Sequence, residues 1–256
     1  MSASIEMAAV THCGVLRARN EDCVAAHPLA RLAVLADGMG GHNAGEVASR
    51  MAVDLISEGI AVATRGPHRR LDANSAEALI TEHIAHANTR IYESSRRRGE
   101  YAGMGTTVVV ALWHDAFVSV GHVGDSRLYR LRAGALQQLT RDHSLAQQHI
   151  DQGTLAREDA RTAPIRNILT RAVGSDSQVS ADLSTYGTCA DDVYLLCSDG
   201  LTEMLTDERI VQVLAGLDAG LDPVADELVQ RANERGGVDN ISVILVRVGT
   251  GQGPSA

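Results

Sequence analysis

Three apolar, strand-like runs of this chain each end in an aspartate followed by a residue with a tiny side chain. Residues 32–36 lead into Asp37-Gly38, residues 118–124 into Asp125-Ser126, and residues 193–198 into Asp199-Gly200. A fourth case is inverted, with Gly236-Gly237-Val238-Asp239-Asn240 preceding the apolar run 241–248. A buried strand that ends in a carboxylate aims its charge at the rim of a sheet. An unpaired ion is costly there, so it takes a partner or a metal. Antiparallel strands can bring three C-terminal ends and one N-terminal start to the same edge. Four carboxylates at one edge, without a basic residue beside each, point to hard divalent cations, which take oxygen ligands. Any one Asp-Gly alone reads as a turn after a strand; four together make that the poorer reading.

The remaining pattern sets the fold class. Residues 5–36 read as two or three strands interrupted by the polar stretch 17–22. Asn43 and Gly45-Glu46 open a helix to about Thr64, with Val47, Met51 and Leu55 on one stripe and Ala48, Ala52 and Ile56 beside it. After a loop over 65–74, Asn74 and Glu77 suggest a capping box for a second helix reaching about Arg97. Its buried face is Ile80, Ile84, Ala87 and Ile91. Strands are predicted at 105–113, 116–123, 126–132, 136–139, 178–185, 192–197 and 241–248, with helices at 207–216 and 221–235. Residues 143–172 read as short helical pieces without a core stripe, a flap rather than core. Strand blocks alternating with helix pairs imply an α+β chain with largely antiparallel sheets. We expect one domain over residues 1–248 and a disordered small-residue tail over 249–256.

Composition excludes several classes of function. A formal net charge of −9 argues against nucleic acid and anionic membranes as partners. Aromatic residues make up only 3% of the chain, so there is no supply of rings for stacking single-stranded bases. The longest apolar run, 108–113, is too short to insert in a bilayer. No signal peptide is evident, and Cys13, Cys23, Cys189 and Cys197 form no C-x-x-C pair. Both features lead to the expectation of a cytoplasmic protein with reduced thiols.

If the aspartates gather, Asp37 is the natural bridging ligand, and the Gly38 carbonyl can approach a second ion because no side chain screens it. Two divalent ions sharing a carboxylate activate water against a phosphoryl group. An all-oxygen shell favours Mn²⁺ or Mg²⁺ over zinc. Arg17 or Arg19, beside Glu21-Asp22, is the candidate guanidinium fork for a substrate phosphate. A solvated surface arginine is the alternative.

Arg17-x-x-Asn20-Glu21-Asp22, Asp37-Gly38-Met39-Gly40-Gly41-His42, Gly103-Met104-Gly105-Thr106-Thr107, Gly124-Asp125-Ser126-Arg127, Ser198-Asp199-Gly200 and Asp239-Asn240 occur in that order. This ordered set resembles the metal-dependent type 2C Ser/Thr protein phosphatases, especially the bacterial branch paired with Ser/Thr kinases, over about residues 5–248. The resemblance implies a four-layer α-β-β-α sandwich, two mainly antiparallel sheets flanked by helix pairs. It implies hydrolysis of phosphoserine and phosphothreonine in proteins by direct attack of a water activated by two metals. It further implies that Asp37 bridges both metals, the Gly38 carbonyl binds one, Asp199 and Asp239 complete the other, and Asp125 with Asp199 holds a weaker third. Arg17 would grip the phosphate, Glu21 and Asp22 would order waters on the metals, and Asn240 would position the Asp239 loop. The implied partners are phosphorylated proteins and a bacterial Ser/Thr kinase with its substrates, the phosphatase itself acting as a monomer. Eukaryotic members carry a histidine after the Asp-Gly, where this chain has Met39. His42 is the nearest substitute, so that it or a metal-bound water would protonate the leaving group, or else His42 only helps start the first helix. Ala163-Pro164 stands where the family often has His-Pro in the flap.

Rival chemistries are also spelled in the sequence. The stretch from His12-Cys13 to Arg19 matches the H-C-x5-R pattern of cysteine-dependent phosphatases, but two carboxylates follow where a helix N-terminus should cradle phosphate. Gly124-Asp125-Ser126 resembles a serine-esterase tripeptide without a companion His-Asp pair. A catalytically weak or dead phosphatase fold serving as a phosphoprotein-binding module is the further alternative.

Overall fold

The computed structural model describes residues 3–41, 44–65 and 71–249. In chain order its strands are β1 (Ile5–His12), β2 (Asp22–His27), β3 (Leu32–Met39), β4 (Gly105–Thr106), β5 (Val108–His114), β6 (Phe117–Val123), β7 (Arg127–Arg132), β8 (Ala135–Gln138), β9 (Asp182–Gly187), β10 (Val193–Cys197) and β11 (Ile241–Val248). The helices are α1 (Ala44–Thr64), α2 (Ala73–Arg97), α3 (Leu145–Asp151), α4 (Arg157–Ala160), α5 (Asp199–Met204), α6 (Asp207–Leu214) and α7 (Leu221–Glu234). One sheet runs β1-β11-β10-β7-β8. The other runs β2-β3-β5-β6-β9, with β4 pairing β3. The pairings within both sheets are antiparallel.

Side-chain alternation builds three apolar layers from these strands. Leu32, Val34 and Ala36 of β3, with Val108, Val110 and Leu112 of β5, pack under α1 and α2. The intervening Ala33, Leu35, Val109, Ala111 and Trp113 face the second sheet, where they meet Tyr194, Leu196, Ile244 and Val246. The other face of that sheet, through Leu195, Cys197, Val243 and Leu245, lies under α5 to α7. The expected four-layer sandwich is the architecture observed. Strands covered on both faces read as unbroken apolar runs for this reason.

Several details differ, and the strand expected at 105–113 is split into β4 and β5. The helix α2 is capped by Asp72, whose carboxylate accepts from Ser75 N–H at 2.8 Å, not by an Asn74–Glu77 box. Glu77 instead accepts from the Thr185 hydroxyl at 2.7 Å. The strand expected at 178–185 is β9 at 182–187. On α1 the fully buried stripe is Ala48, Ala52, Val53, Ile56 and Ile60, with Val47, Met51 and Leu55 only partly covered. The tail beyond residue 249 and His42 lie outside the described residues.

The expected flap does contain only short helices, α3 and α4, and both of its ends are fastened. His143 N–H donates to Gly124 O at 2.9 Å, while Val173 and Thr106 exchange backbone hydrogen bonds at 2.8 and 3.0 Å. The segment is thus hinged on the two loops that carry Asp125 and brace Asp37.

Candidate metal and phosphate site

β3 and β6 both run antiparallel to β5, so their C-terminal ends meet at one edge of their sheet. β10 ends and β11 begins at one edge of the other sheet. Asp37, Asp125, Asp199 and Asp239 belong to these ends, and the two sheets are bonded together where they meet. Asp22, opposite Asp37 in the β2–β3 register, accepts from the Ser198 hydroxyl at 2.8 Å. Asn240 makes three bonds to the segment before β2. Its side-chain oxygen accepts from Glu21 N–H at 2.8 Å, and its NH₂ donates to Cys13 O and Arg19 O at 3.0 and 2.8 Å. The 2.7 Å ion pair of Arg17 with Asp239 closes the junction.

Local backbone chemistry explains the small residues beside the aspartates. A Cβ on Gly38 would run into the Gly45 carbonyl oxygen and come within 2.6 Å of Glu21 O. A Cβ on Gly200 would strike the Asn240 carbonyl oxygen. These glycines let α1 and α5 close on the strand ends.

Thr107 joins two of the aspartate-bearing segments. Its hydroxyl oxygen accepts from Asp37 N–H at 3.0 Å and shares a 2.7 Å bond with the Ser126 hydroxyl. The Thr106 hydroxyl donates to Asp37 O at 2.8 Å. Beside Asp125, Arg127 forks onto Asp142 with bonds as short as 2.6 Å.

The electrostatics of this edge are those of anions held together against their repulsion. Burial, then the fields of Asp22, Asp199, Asp125 and Asp239, hold the Asp37 carboxyl well above the usual range. Burial followed by Asp125, Asp239 and Glu203 does the same to Asp199. Burial and then Asp142 push Asp125 up to about 7. Asp22 rises to about 6, chiefly through burial, with hydrogen bonds from Ser242 and Ser198 pulling the other way. Burial also raises Glu21, opposed by Arg17. One buried oxygen of Asp22 has no hydrogen-bond partner. An all-oxygen cluster of mutually repelling carboxyls, with such an orphan oxygen beside it, fits hard divalent cations.

The structure therefore brings together Asp37, Gly38, Asp125, Asp199 and Asp239, and sets Arg17, Glu21, Asp22 and Asn240 around them. Sequence reasoning missed the clasping roles of Ser198 and Thr107, although both stand in or beside quoted motifs. It also read Ser198-Asp199-Gly200 only as a strand end, whereas Asp199 opens α5. Ser198, at the N-cap of that helix, makes no side-chain cap bond; its hydroxyl serves Asp22 and Ser242 N–H. The cysteine-phosphatase reading fails on geometry, because residues 13–20 form turns and lead into β2, not a helix. Ser126 is buried and bonded to Thr107, which removes it as an esterase nucleophile.

Asn240 gives a direct test of this junction. Asn240→Ala removes three bonds that hold residues 13–21 against β11, and is expected to lower kcat/KM about 10–100-fold. Its thermal midpoint should fall by only a few degrees, roughly the effect of ~1–2 kcal/mol. Steady-state kinetics beside a melting curve checks both, and a large loss of stability without a kinetic effect would assign Asn240 to the fold alone.

Two antiparallel sheets bearing a carboxylate edge, with an arginine at its rim, define a metal-dependent phosphoester hydrolase. The sequence matches the family described as Protein phosphatase 2C over residues 17–245. It is 40% identical over 215 residues to the serine/threonine phosphatase stp of Listeria monocytogenes, covering 84% of this chain and 83% of that protein. The Staphylococcus aureus serine/threonine phosphatase Stp1 superposes with a TM-score of 0.88 at 33% identity, over 98% of this chain and 97% of that one. The catalytic domain of the phosphatase PstP, solved with two manganese ions, superposes with a TM-score of 0.83 at 32% identity, over 96% and 99% of the chains. This chain belongs to the protein phosphatase 2C family.

Proposed function

We propose that the carboxylate edge holds Mn²⁺ or Mg²⁺, two ions with a weaker third, and hydrolyses phosphoserine and phosphothreonine in proteins phosphorylated by a bacterial Ser/Thr kinase. The observation that carries this reading is the convergence of Asp37, Asp125, Asp199 and Asp239 at one edge, beside Arg17. Asp37, the Gly38 carbonyl, Asp199 and Asp239 would hold the two ions, and Asp125 with Asp199 the third. When bound, the ions supply a nucleophilic water near neutral pH and screen the phosphate oxygens.

The rest is work for this chain's own residues. The Arg17 side chain is about half exposed and paired with Asp239, which supports it as the group that meets an incoming phosphate. Glu21 and Asp22 would order waters at the edge, and Asn240 fixes the segment that leads into them. Thr107 and Thr106 set the Asp37 backbone. His42 stands as the candidate donor of a proton to the departing serine or threonine oxygen.

We further propose that residues 1–248 act as one phosphatase domain, as a monomer in the cytoplasm. The three apolar layers within the chain support the first point, and the unpaired cysteines support the setting. No helix among the described residues is long and apolar enough to cross a membrane.

Hydrolysis of a phosphothreonine peptide with Mn²⁺, with EDTA and with a thiol alkylator tests the proposal. Activity that needs the metal and ignores alkylation is expected, whereas metal-independent activity abolished by alkylation would overturn it. Arg17→Ala should raise KM for small phosphoesters about tenfold with a smaller change in kcat, as loss of one charge-assisted contact requires. An unchanged KM would place the phosphate grip elsewhere, with Arg19 the next candidate.

A further inference from the structure

Beside the charged edge lies a cluster of apolar side chains that neither the fold nor the reaction requires. Val15 is 61% exposed, Leu16 69% and Val238 38%. What fixes these two loops is backbone and charge: Val15 N–H and Leu16 N–H donate to Gly237 O at 2.7 and 3.3 Å, and Arg17 pairs with Asp239 at 2.7 Å. The positions could therefore carry polar side chains without loss of those bonds. The loops also touch directly, since a Cβ on Gly237 would come within 2.8 Å of Val15 Cγ2. Single exposed apolar residues are ordinary. Three at one junction, each within two residues of Arg17 or Asp239, make an apolar rim beside the residue proposed to grip the phosphate.

The patch continues into a cavity. Val238 lines a cleft of about 650 Å³ together with Asp125, Asp199, Thr202 and Met204. A chain whose phosphate sits at Arg17 has both this cleft and the rim formed by Val15, Leu16 and Val238 within reach. Consecutive residues of an extended chain advance ~3.3–3.6 Å each, and consecutive Cα atoms in the loops lie ~3.8 Å apart. One or two substrate residues next to the phosphorylated one therefore reach Leu16 and Val238.

Building on the phosphatase reading above, we propose that Val15, Leu16 and Val238 form a specificity subsite. It takes an aliphatic side chain within two positions of the phosphoserine or phosphothreonine of a protein substrate. An acidic residue at that position gains nothing from the patch.

The test uses phosphothreonine peptides with a glycine and serine background and Mn²⁺. A single leucine, or a single glutamate, is placed in turn at each of the four positions nearest the phosphothreonine. At one of these positions the leucine peptide should exceed the glutamate peptide about tenfold in kcat/KM, the scale of a partly buried aliphatic side chain. Leu16→Ser combined with Val238→Ser should bring that ratio to within about twofold, and Leu16→Met with Val238→Ile should retain it, as interchange of similar apolar surface predicts. Equal turnover of leucine and glutamate peptides by the wild-type protein, or a preference that survives the double serine variant, would overturn the subsite. Failure to hydrolyse every peptide and p-nitrophenyl phosphate as well would instead overturn the phosphatase reading on which it rests.

Discussion

Asp37→Asn is expected to lower kcat for a phosphothreonine peptide by about 10³-fold or more while the protein stays folded. The amide keeps the shape of the carboxylate and removes its charge. Four neighbours, Asp22, Asp199, Asp125 and Asp239, all push against that charge. Removing it therefore relieves repulsion in the metal-free protein, and the thermal midpoint of the variant in EDTA should equal or exceed that of the wild type. Asp239→Asn should lose turnover similarly, and it also loses the partner of Arg17. Kinetics in saturating Mn²⁺, with melting curves in EDTA, measures both effects. Near-wild-type kcat in both variants would contradict the assignment of these residues to metal.

The second large effect is an unusual dependence of stability on pH. Carboxyls raised in the folded state bind protons more tightly there than in the unfolded chain. Their contribution is fully present below the unfolded value near 4 and is lost as pH rises through the folded values. Those values are about 6 for Asp22 and about 7 for Asp125, with Asp37 and Asp199 also raised well above the ordinary range. In EDTA the protein should therefore be more stable at pH 5 than at pH 8, with the thermal midpoint falling by roughly 5–10 °C across that interval. Saturating Mn²⁺ should abolish or reverse the slope, because a bound cation favours the ionised carboxylates. Differential scanning calorimetry at several pH values decides the matter. A rising midpoint in EDTA would mean that these carboxyls are ionised and well paired without metal.

Much of this architecture is legible in the sequence because each layer has its own period. The unbroken apolar run at 108–113 announces a strand covered on both faces, and β5 is buried throughout. Ile80, Ile84, Ala87 and Ile91 fall on the buried face of α2, as their spacing requires. The aspartates were visible for a related reason, since a charge directly after such a run has few structural uses.

What escaped the sequence depends on contacts between distant segments. The first helix, α1, buries the alanine side of its apolar face, Ala48 and Ala52 with Ile56, more fully than the larger Val47, Met51 and Leu55, because it lies close to β3. The cap of α2 is Asp72, and Glu77, which a local capping box would use, is instead engaged by Thr185, 108 residues away. The Ser198 hydroxyl is spent on Asp22, 176 residues distant, so nothing local distinguishes it from an ordinary cap. The same holds for Asn240, whose three bonds reach back to residues 13–21.

The measurement that bears most directly on the central claim is calorimetric titration of Mn²⁺ into the metal-free protein, wild type beside Asp37→Asn and Asp239→Asn. At least two ions should bind the wild type, with protons released as the raised carboxyls ionise, and each variant should lose binding of one or more ions. Unchanged stoichiometry and affinity in both variants would show that the carboxylate edge is not where the metal sits.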